Sequence, residues 1–125
     1  MNNNIYQEKL MDHYKNPRNK KNIENPDFST GRQNPSCGDS VLIEGKLENG
    51  KITDLGFSGS GCVISQAAAS ILLTSCTGKT VEEVLALDKD YILKLLGIPL
   101  GPNRIKCALL SLDALKSSLE KIKNN

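Results

Sequence analysis

The sequence predicts an α+β fold. A β-hairpin pattern in the middle of the chain is followed only by helical patterns, and strands do not alternate with helices as they would in a parallel sheet. The length of 125 residues is enough for one hydrophobic core and short for two ordinary domains. We therefore expect a single domain over residues 1–125.

The first predicted element is a helix over residues 5–15. Tyr6, Leu10 and Tyr14 recur at helical spacing, and Pro17 disfavours helix in the residue before it. A polar stretch rich in Asn, Pro and Lys follows and is assigned to no element.

From residue 40 the apolar period changes to two, which is typical of a strand. Val41, Ile43 and Leu47 fall on one face, and Asn49-Gly50 is a strong hairpin turn signal. The return strand over residues 51–57 has a less regular alternation.

Four helices are predicted after the hairpin. Residues 63–76 contain a run of alanines that favours close packing, Thr80 and Glu83 form a capping box, and Asp88 caps a short helix that ends at Gly97. The last helix has an apolar face of Ile105, Leu109, Leu112, Leu115, Leu119 and Ile122.

Composition excludes several functional classes. The net charge is +2, and the only aromatic residues are three Tyr and two Phe, so neither a basic groove nor a stacking platform for nucleic acid is indicated. The N-terminus lacks the pattern of a secretory signal, and no apolar run approaches the roughly 18 residues of a membrane helix. We expect a cytoplasmic protein without nucleic-acid or membrane partners. In a reducing compartment its four cysteines are ligands, nucleophiles or core residues rather than disulfides.

The cysteines differ in their predicted positions. Cys37 precedes the first strand of the hairpin, Cys62 follows a glycine-rich turn before a helix, and Cys107 lies near the start of the last helix. Element edges are where side chains from distant parts of a chain converge. Cys76 lies near the end of an apolar helix, where a free cysteine behaves as a small hydrophobe.

Spacing alone does not define a metal site, because the chain contains no C-x-x-C pair. Three thiolates could nevertheless combine with Asp39. A Cys₃Asp set would hold Zn²⁺ tetrahedrally or bind iron and sulfide, with the carboxylate as its weakest donor. The simpler alternative is that Asp39 supports the turn before the strand.

Five segments carry a resemblance to a known family. They are YQEKLMDHYKNPRN (6–19), NPSCGD (34–39), FSGSGCVISQAAAS (57–70), GKTVEE (78–83) and RIKCALLSLDAL (104–115). Together they resemble the U-type iron–sulfur cluster assembly proteins, which comprise the IscU/SufU family and the N-terminal domain of NifU. The resemblance covers nearly the whole chain.

The resemblance implies a small antiparallel sheet covered by helices. It also implies a scaffold that receives persulfide sulfur from a pyridoxal-phosphate cysteine desulfurase, builds a [2Fe–2S] cluster and passes it to apo-proteins. The family pattern carries over to Cys37, Asp39, Cys62 and Cys107 as metal or cluster ligands, each within its own motif.

Departures from the family pattern leave two branches open. Lys106 occupies the position at which the IscU branch has histidine, and in this respect the chain resembles SufU. The loop before Lys106 is short and lacks the SufU insertion, and in this respect the chain resembles IscU. The charge of Lys106 either is simply solvated, or lowers the pKa of the thiols, or offsets the negative charge of three thiolates and a carboxylate around a divalent metal. The segment ending at Arg104 keeps only a leucine, a proline and a basic end of the IscU chaperone-recognition sequence, which argues against a chaperone pair as partner.

Two main hypotheses and one simpler alternative follow, and whether the protein is an enzyme depends on which of them holds. The first is a non-enzymatic scaffold for a transient [2Fe–2S] cluster. The second is a zinc-dependent sulfurtransferase, in which Zn²⁺ is held by the same four residues and Cys37 leaves the metal to take persulfide. A third is a zinc-stabilised adaptor without sulfur chemistry.

Two other features are assigned structural roles. His13, the only histidine, is expected to be structural or on the surface. Gly59 and Gly61 match neither a P-loop nor a dinucleotide fingerprint, and we expect them to let the backbone approach the site beside Cys62.

Overall fold

The computed structural model describes residues 3–35 and 38–123. Its elements in chain order are α1 (Asn3–Lys15), β1 (Phe28–Asn34), β2 (Asp39–Glu48), β3 (Lys51–Ser60), α2 (Val63–Cys76), α3 (Val81–Leu85), α4 (Lys89–Leu96) and α5 (Pro102–Lys123). The three strands form one antiparallel sheet in the order β1-β2-β3. The predicted α+β class is confirmed.

Strands β2 and β3 form the predicted hairpin. Their register pairs Glu48 with Lys51 and shifts once, between Lys46 and Leu47, which accounts for the less regular alternation of the return strand. Asn49 and Gly50 have φ values of 53° and 79°, the left-handed conformation that Asn and Gly adopt most readily.

Strand β1 was not predicted, and assigning its residues to no element was wrong. Only Phe28, Thr30 and Asn34 of this edge strand are buried, and only Phe28 among them is a large apolar residue. The sequence of β1 therefore lacks the alternation of apolar and polar residues that identifies a strand. Antiparallel pairing with β2 places Asn34 opposite Asp39. The missed strand therefore brings an unexpected side chain to the start of β2.

The helices agree with the sequence patterns. Thr80 and Glu83 form the predicted capping box at α3, and the Tyr91 N–H donates to Asp88 Oδ1 over 3.1 Å at the start of α4. Helix α4 ends at Gly97, whose φ is 65°.

Helix α2 lies at the centre of the fold. It packs against α1, α5 and β3, while α5 also covers β1 and β2. Its consecutive alanines are fully buried and allow neighbouring elements to approach closely. This packing fixes both ends of α2.

His13 has a structural position between α1 and α2. Its ring is buried, and Nδ1 lies 2.7 Å from Ser70 Oγ, which also accepts the backbone N–H of Arg18 over 2.8 Å. One serine in the middle of α2 thereby anchors the end of α1 and the chain that follows it.

Within residues 3–35 and 38–123, we find no helix with both the length and the apolar character that a membrane crossing requires.

Candidate metal centre

The sheet places Asp39 beside Cys62. Asp39 is the first residue of β2 and only 2% exposed, and Cys62 follows the last residue of β3 by two positions. Because the strands are antiparallel, Ser40 pairs with Ser60, so the beginning of β2 and the end of β3 meet at one end of the sheet.

Helix α5 brings Cys107 to the same end of the sheet. The helix packs on β1 and β2, and Cys107 in its second turn is 4% exposed. The side-chain amide of Asn34 donates to Cys107 Sγ over 3.9 Å. Asn34 thus contacts one of the predicted ligands from the end of β1.

The three side chains form a compact cluster. One carboxylate oxygen of Asp39 and the sulfur atoms of Cys62 and Cys107 all lie within 4.8 Å of one another. A tetrahedral zinc ion with bonds of about 2.0–2.3 Å holds its ligand atoms roughly 3.3–3.8 Å apart. Small side-chain rotations would bring the three ligand atoms to that spacing. Two thiolates and a carboxylate are also donors that suit zinc or iron, so these residues fit a metal.

Two hydrogen bonds fix the Asp39 carboxylate against Cys62. Oδ1 accepts the backbone N–H of Cys62 over 2.9 Å, and Oδ2 accepts its thiol proton over 3.6 Å. The Asp39 carboxylate therefore lies at the N-terminus of α2, with one oxygen next to the Cys62 sulfur.

Two further hydrogen bonds fix Cys62 at the start of α2. This residue is the N-cap of α2, and its sulfur accepts the backbone N–H of Ser65 over 3.4 Å. The Ser65 hydroxyl donates to the Cys62 carbonyl over 3.1 Å, which holds the turn.

The other predicted site residues have different outcomes. Cys37 lies outside the described residues, and its role as ligand and persulfide acceptor stays a prediction. Cys76 is fully buried in the core, as predicted, and burial raises the pKa of its thiol to about 11. Lys106 is exposed on the first turn of α5, and its effect on the thiols stays a prediction.

Sequence reasoning missed Asn34 and Ser65. Asn34 belongs to the NPSCGD segment, but without β1 there was no reason to place it near Cys107. Ser65 occupies the third position of a predicted helix that follows an N-cap cysteine, a pattern that could have identified it as a donor to that cysteine.

A cavity of about 470 Å³ opens beside Cys62. It is lined by Gln7, Leu10 and Met11 of α1, by Val63, and by Ile98 and Arg104 before and within α5. Cys62 itself is exposed, so a sulfur donor can approach its thiol.

The fold and this cluster define a small α+β protein with a cysteine–aspartate centre at the end of an antiparallel sheet. Residues 5–125 match the family described as NifU-like N terminal domain. The chain belongs to that family, as the five sequence segments predicted.

Named relatives and a solved structure agree with this assignment. The chain is 36% identical to the zinc-dependent sulfurtransferase SufU of Bacillus subtilis strain 168, covering 94% of this chain and 90% of SufU. It is 35% identical to the iron–sulfur cluster assembly scaffold protein IscU 1 of Archaeoglobus fulgidus, covering 92% of this chain and 74% of that protein.

The structure is similar to the crystal structure of FiSufU from Fervidobacterium islandicum AW-1, described as a candidate iron–sulfur cluster assembly scaffold for the SUF system. The TM-score is 0.78 at 30% identity, over 95% of this chain and 99% of FiSufU. The alignment with Bacillus subtilis SufU spans 134 positions, so SufU carries residues that this 125-residue chain lacks.

Proposed function

We propose that this protein is an iron–sulfur cluster assembly scaffold. It accepts persulfide sulfur from a cysteine desulfurase, assembles a [2Fe–2S] cluster on Cys37, Asp39, Cys62 and Cys107, and transfers the cluster to apo-proteins. The observation that carries the proposal is the convergence of Asp39, Cys62 and Cys107 within 4.8 Å. A cytoplasmic location is part of the proposal, because free thiolates persist in a reducing compartment.

The sulfur step needs an accessible thiolate. A thiolate of the site attacks the outer sulfur of the desulfurase persulfide, a new S–S bond forms, and the desulfurase cysteine leaves as a thiolate, so this exchange involves no net oxidation. Converting each transferred sulfur to bridging sulfide takes two electrons from an external electron donor. The exposed thiol of Cys62 and the cavity beside it support delivery at this place.

Release of the cluster depends on its weakest ligand. Iron–sulfur clusters are usually held by cysteine thiolates, and a carboxylate is a harder donor that matches the cluster less well. Asp39 in a set of cysteines therefore makes a cluster that is held loosely enough to transfer.

The second candidate is a zinc-dependent sulfurtransferase. The 36% identity to the SufU of Bacillus subtilis favours it, and so does Lys106 in the place of the IscU histidine. In this case the same four residues would hold Zn²⁺, and the Cys37 thiolate would be the group that attacks the persulfide as described above. Zinc then organises the thiolates, and the chain delivers sulfur rather than a cluster.

One paired experiment separates these candidates. The metal-free protein is reconstituted anaerobically with iron, desulfurase and cysteine, and the turnover of the same desulfurase is measured with zinc-loaded protein. A visible chromophore without stimulation of turnover supports the scaffold, whereas stimulation without a chromophore supports the sulfurtransferase.

Two variants serve as controls for that experiment. Cys62→Ala should abolish whichever signal the wild type gives, and Cys76→Ala should preserve it, because Cys76 is buried in the core. If the protein bound zinc but gave neither a chromophore nor stimulation of desulfurase turnover, the zinc-stabilised adaptor would be the supported hypothesis.

A further inference from the structure

Gly61 occupies a crowded position between β3 and Cys62. A Cβ atom added there would lie 2.5 Å from Asp39 Oδ1, 2.9 Å from Asp39 Cγ and closer still to Ser65 Oγ. The backbone of Gly61 is outside the left-handed region that favours glycine. Space, and not backbone conformation, therefore requires glycine here.

The two crowded neighbours differ in their freedom to move. Ser65 can rotate its hydroxyl away and lose one hydrogen bond, the one to the Cys62 carbonyl. Asp39 is 2% exposed, and both of its oxygens contact Cys62. Its carboxylate cannot shift without leaving the Cys62 N–H and changing its position relative to the sulfur atoms.

We propose that Gly61 is a positioning residue for Asp39. Glycine has no side chain, and the Asp39 carboxylate occupies the space that a side chain at this position would fill beside Cys62. The inference rests on the proposed metal-binding function of this site. Through Asp39, Gly61 controls how tightly the metal is held, although Gly61 itself contributes no ligand.

Gly59 provides an informative contrast two residues earlier. Its φ is 131°, and an added Cβ would collide with the backbone of Ser40 and Val41 on the neighbouring strand. Gly59 thus allows two strand backbones to approach each other within the sheet, whereas the sequence predicted backbone approach to the site beside Cys62. At Gly61 a side chain, the carboxylate of Asp39, fills the space.

The test compares zinc affinity, measured by chelator competition, in three proteins. Gly61→Ala should bind zinc about 10- to 100-fold more weakly than the wild type, the effect typical of losing a residue that orients a ligand. Gly101→Ala is the matched control, because an added Cβ at Gly101 meets no atom within 4 Å and its φ is not left-handed. It should bind zinc as the wild type does.

A double-mutant cycle tests whether Gly61 acts through Asp39. In an Asp39→Ala background the carboxylate is gone, so adding Gly61→Ala should weaken zinc binding no further. In a Ser65→Ala background the Gly61→Ala effect should persist. Equal weakening with and without Asp39, or wild-type affinity of Gly61→Ala itself, would overturn the proposal.

Amide hydrogen exchange gives a readout in the metal-free protein. The Cys62 N–H donates to Asp39 Oδ1, so Gly61→Ala should speed its exchange while Gly101→Ala does not. If the wild type bound neither zinc nor a cluster, the proposed function would fail, yet this exchange would still test Gly61. Unchanged exchange in Gly61→Ala would overturn the inference. If Gly61→Ala does not fold, rescue by Asp39→Ala supports the proposal, and failure of the double variant contradicts it.

Discussion

The two ends of α2 carry cysteines in opposite environments. Cys62 at the N-terminal end is exposed, and its sulfur contacts the Asp39 carboxylate and the Ser65 N–H. Cys76 at the C-terminal end is fully buried within the hydrophobic core, and burial raises the pKa of its thiol to about 11.

The surroundings of each cysteine, and not the residue type, therefore decide what the side chain can do. At the N-terminal end, Cys62 is exposed and lies with Asp39 and Cys107 in a cluster whose ligand atoms are within 4.8 Å of one another. In an apolar core a thiolate is costly, so the same side chain serves as packing. One helix therefore carries an exposed cysteine of the candidate metal centre and a buried cysteine that packs in the core.

The largest expected effect is on metal binding. Cys62→Ala should lower zinc affinity by more than about 100-fold, because losing a ligand costs more than losing a residue that orients one. Cys76→Ala should leave zinc affinity unchanged. Chelator competition measures the zinc affinity of both variants. A comparable loss of zinc affinity in Cys76→Ala would contradict the different roles assigned to the two cysteines.

Thiol labelling should sharpen the same contrast without a metal. At pH 8 a thiol with a pKa of about 11 is only about 0.1% ionised, and Cys76 is also shielded from reagent. Iodoacetamide should therefore modify Cys62 at least about 100-fold faster than Cys76 in the folded, metal-free protein. Peptide mass spectrometry over a time course measures both rates, which should become similar after denaturation.

A smaller effect is expected for Asp39. Asp39→Ala should slow transfer of a reconstituted cluster to an apo-ferredoxin by roughly 10-fold, because the hard donor that loosens the cluster is lost. Sulfur acceptance should be largely kept, since the cysteines remain. Wild-type transfer together with a lowered melting temperature would show instead that Asp39 only supports the start of β2.

The smallest effect concerns the middle of α2, where Ser70 contacts His13. Burial lowers the pKa of His13, Arg18 and Lys9 lower it further, and Asp12 opposes them. The His13 ring therefore binds a proton more readily in the unfolded chain than in the folded protein. The stability that neutral His13 confers is present above about pH 6.5 and is lost as the pH falls below that value.

Urea unfolding at several pH values measures this dependence. The free energy of unfolding should fall below about pH 6.5 with a slope of at most about 1.4 kcal/mol per pH unit, the limit for one proton. His13→Gln should be less stable at neutral pH and should lose that part of the slope. An unchanged slope in His13→Gln would assign the pH dependence to other groups.

Helix α2 illustrates what the sequence could predict. Its alanine run, the glycine-rich turn before it and the polar residues that follow define its ends and its burial. The burial of Cys76 followed from the apolar character of the helix, and the role of Cys62 as a ligand stays a prediction. The hairpin and the caps of α3 and α4 were predictable for the same reason, because each depends on residues close in sequence.

Strand β1 illustrates what the sequence could not predict. Its polar residues have no strand periodicity, and it is stabilised by pairing with β2 and packing of α5. The contact between Asn34 and Cys107 joins residues 73 positions apart, and no local pattern encodes it. The proximity of Gly61 to Asp39 is likewise set by strand pairing.

Zinc K-edge X-ray absorption on zinc-loaded protein tests whether cysteine sulfurs and the Asp39 carboxylate hold a metal at the end of the sheet. We expect three sulfur donors near about 2.3 Å and one oxygen near about 2.0 Å in the wild type. Cys62→Ala should have one sulfur fewer, and Cys76→Ala should have an unchanged sulfur count. A first shell of oxygen and nitrogen alone, or a sulfur count unaffected by Cys62→Ala, would contradict this coordination.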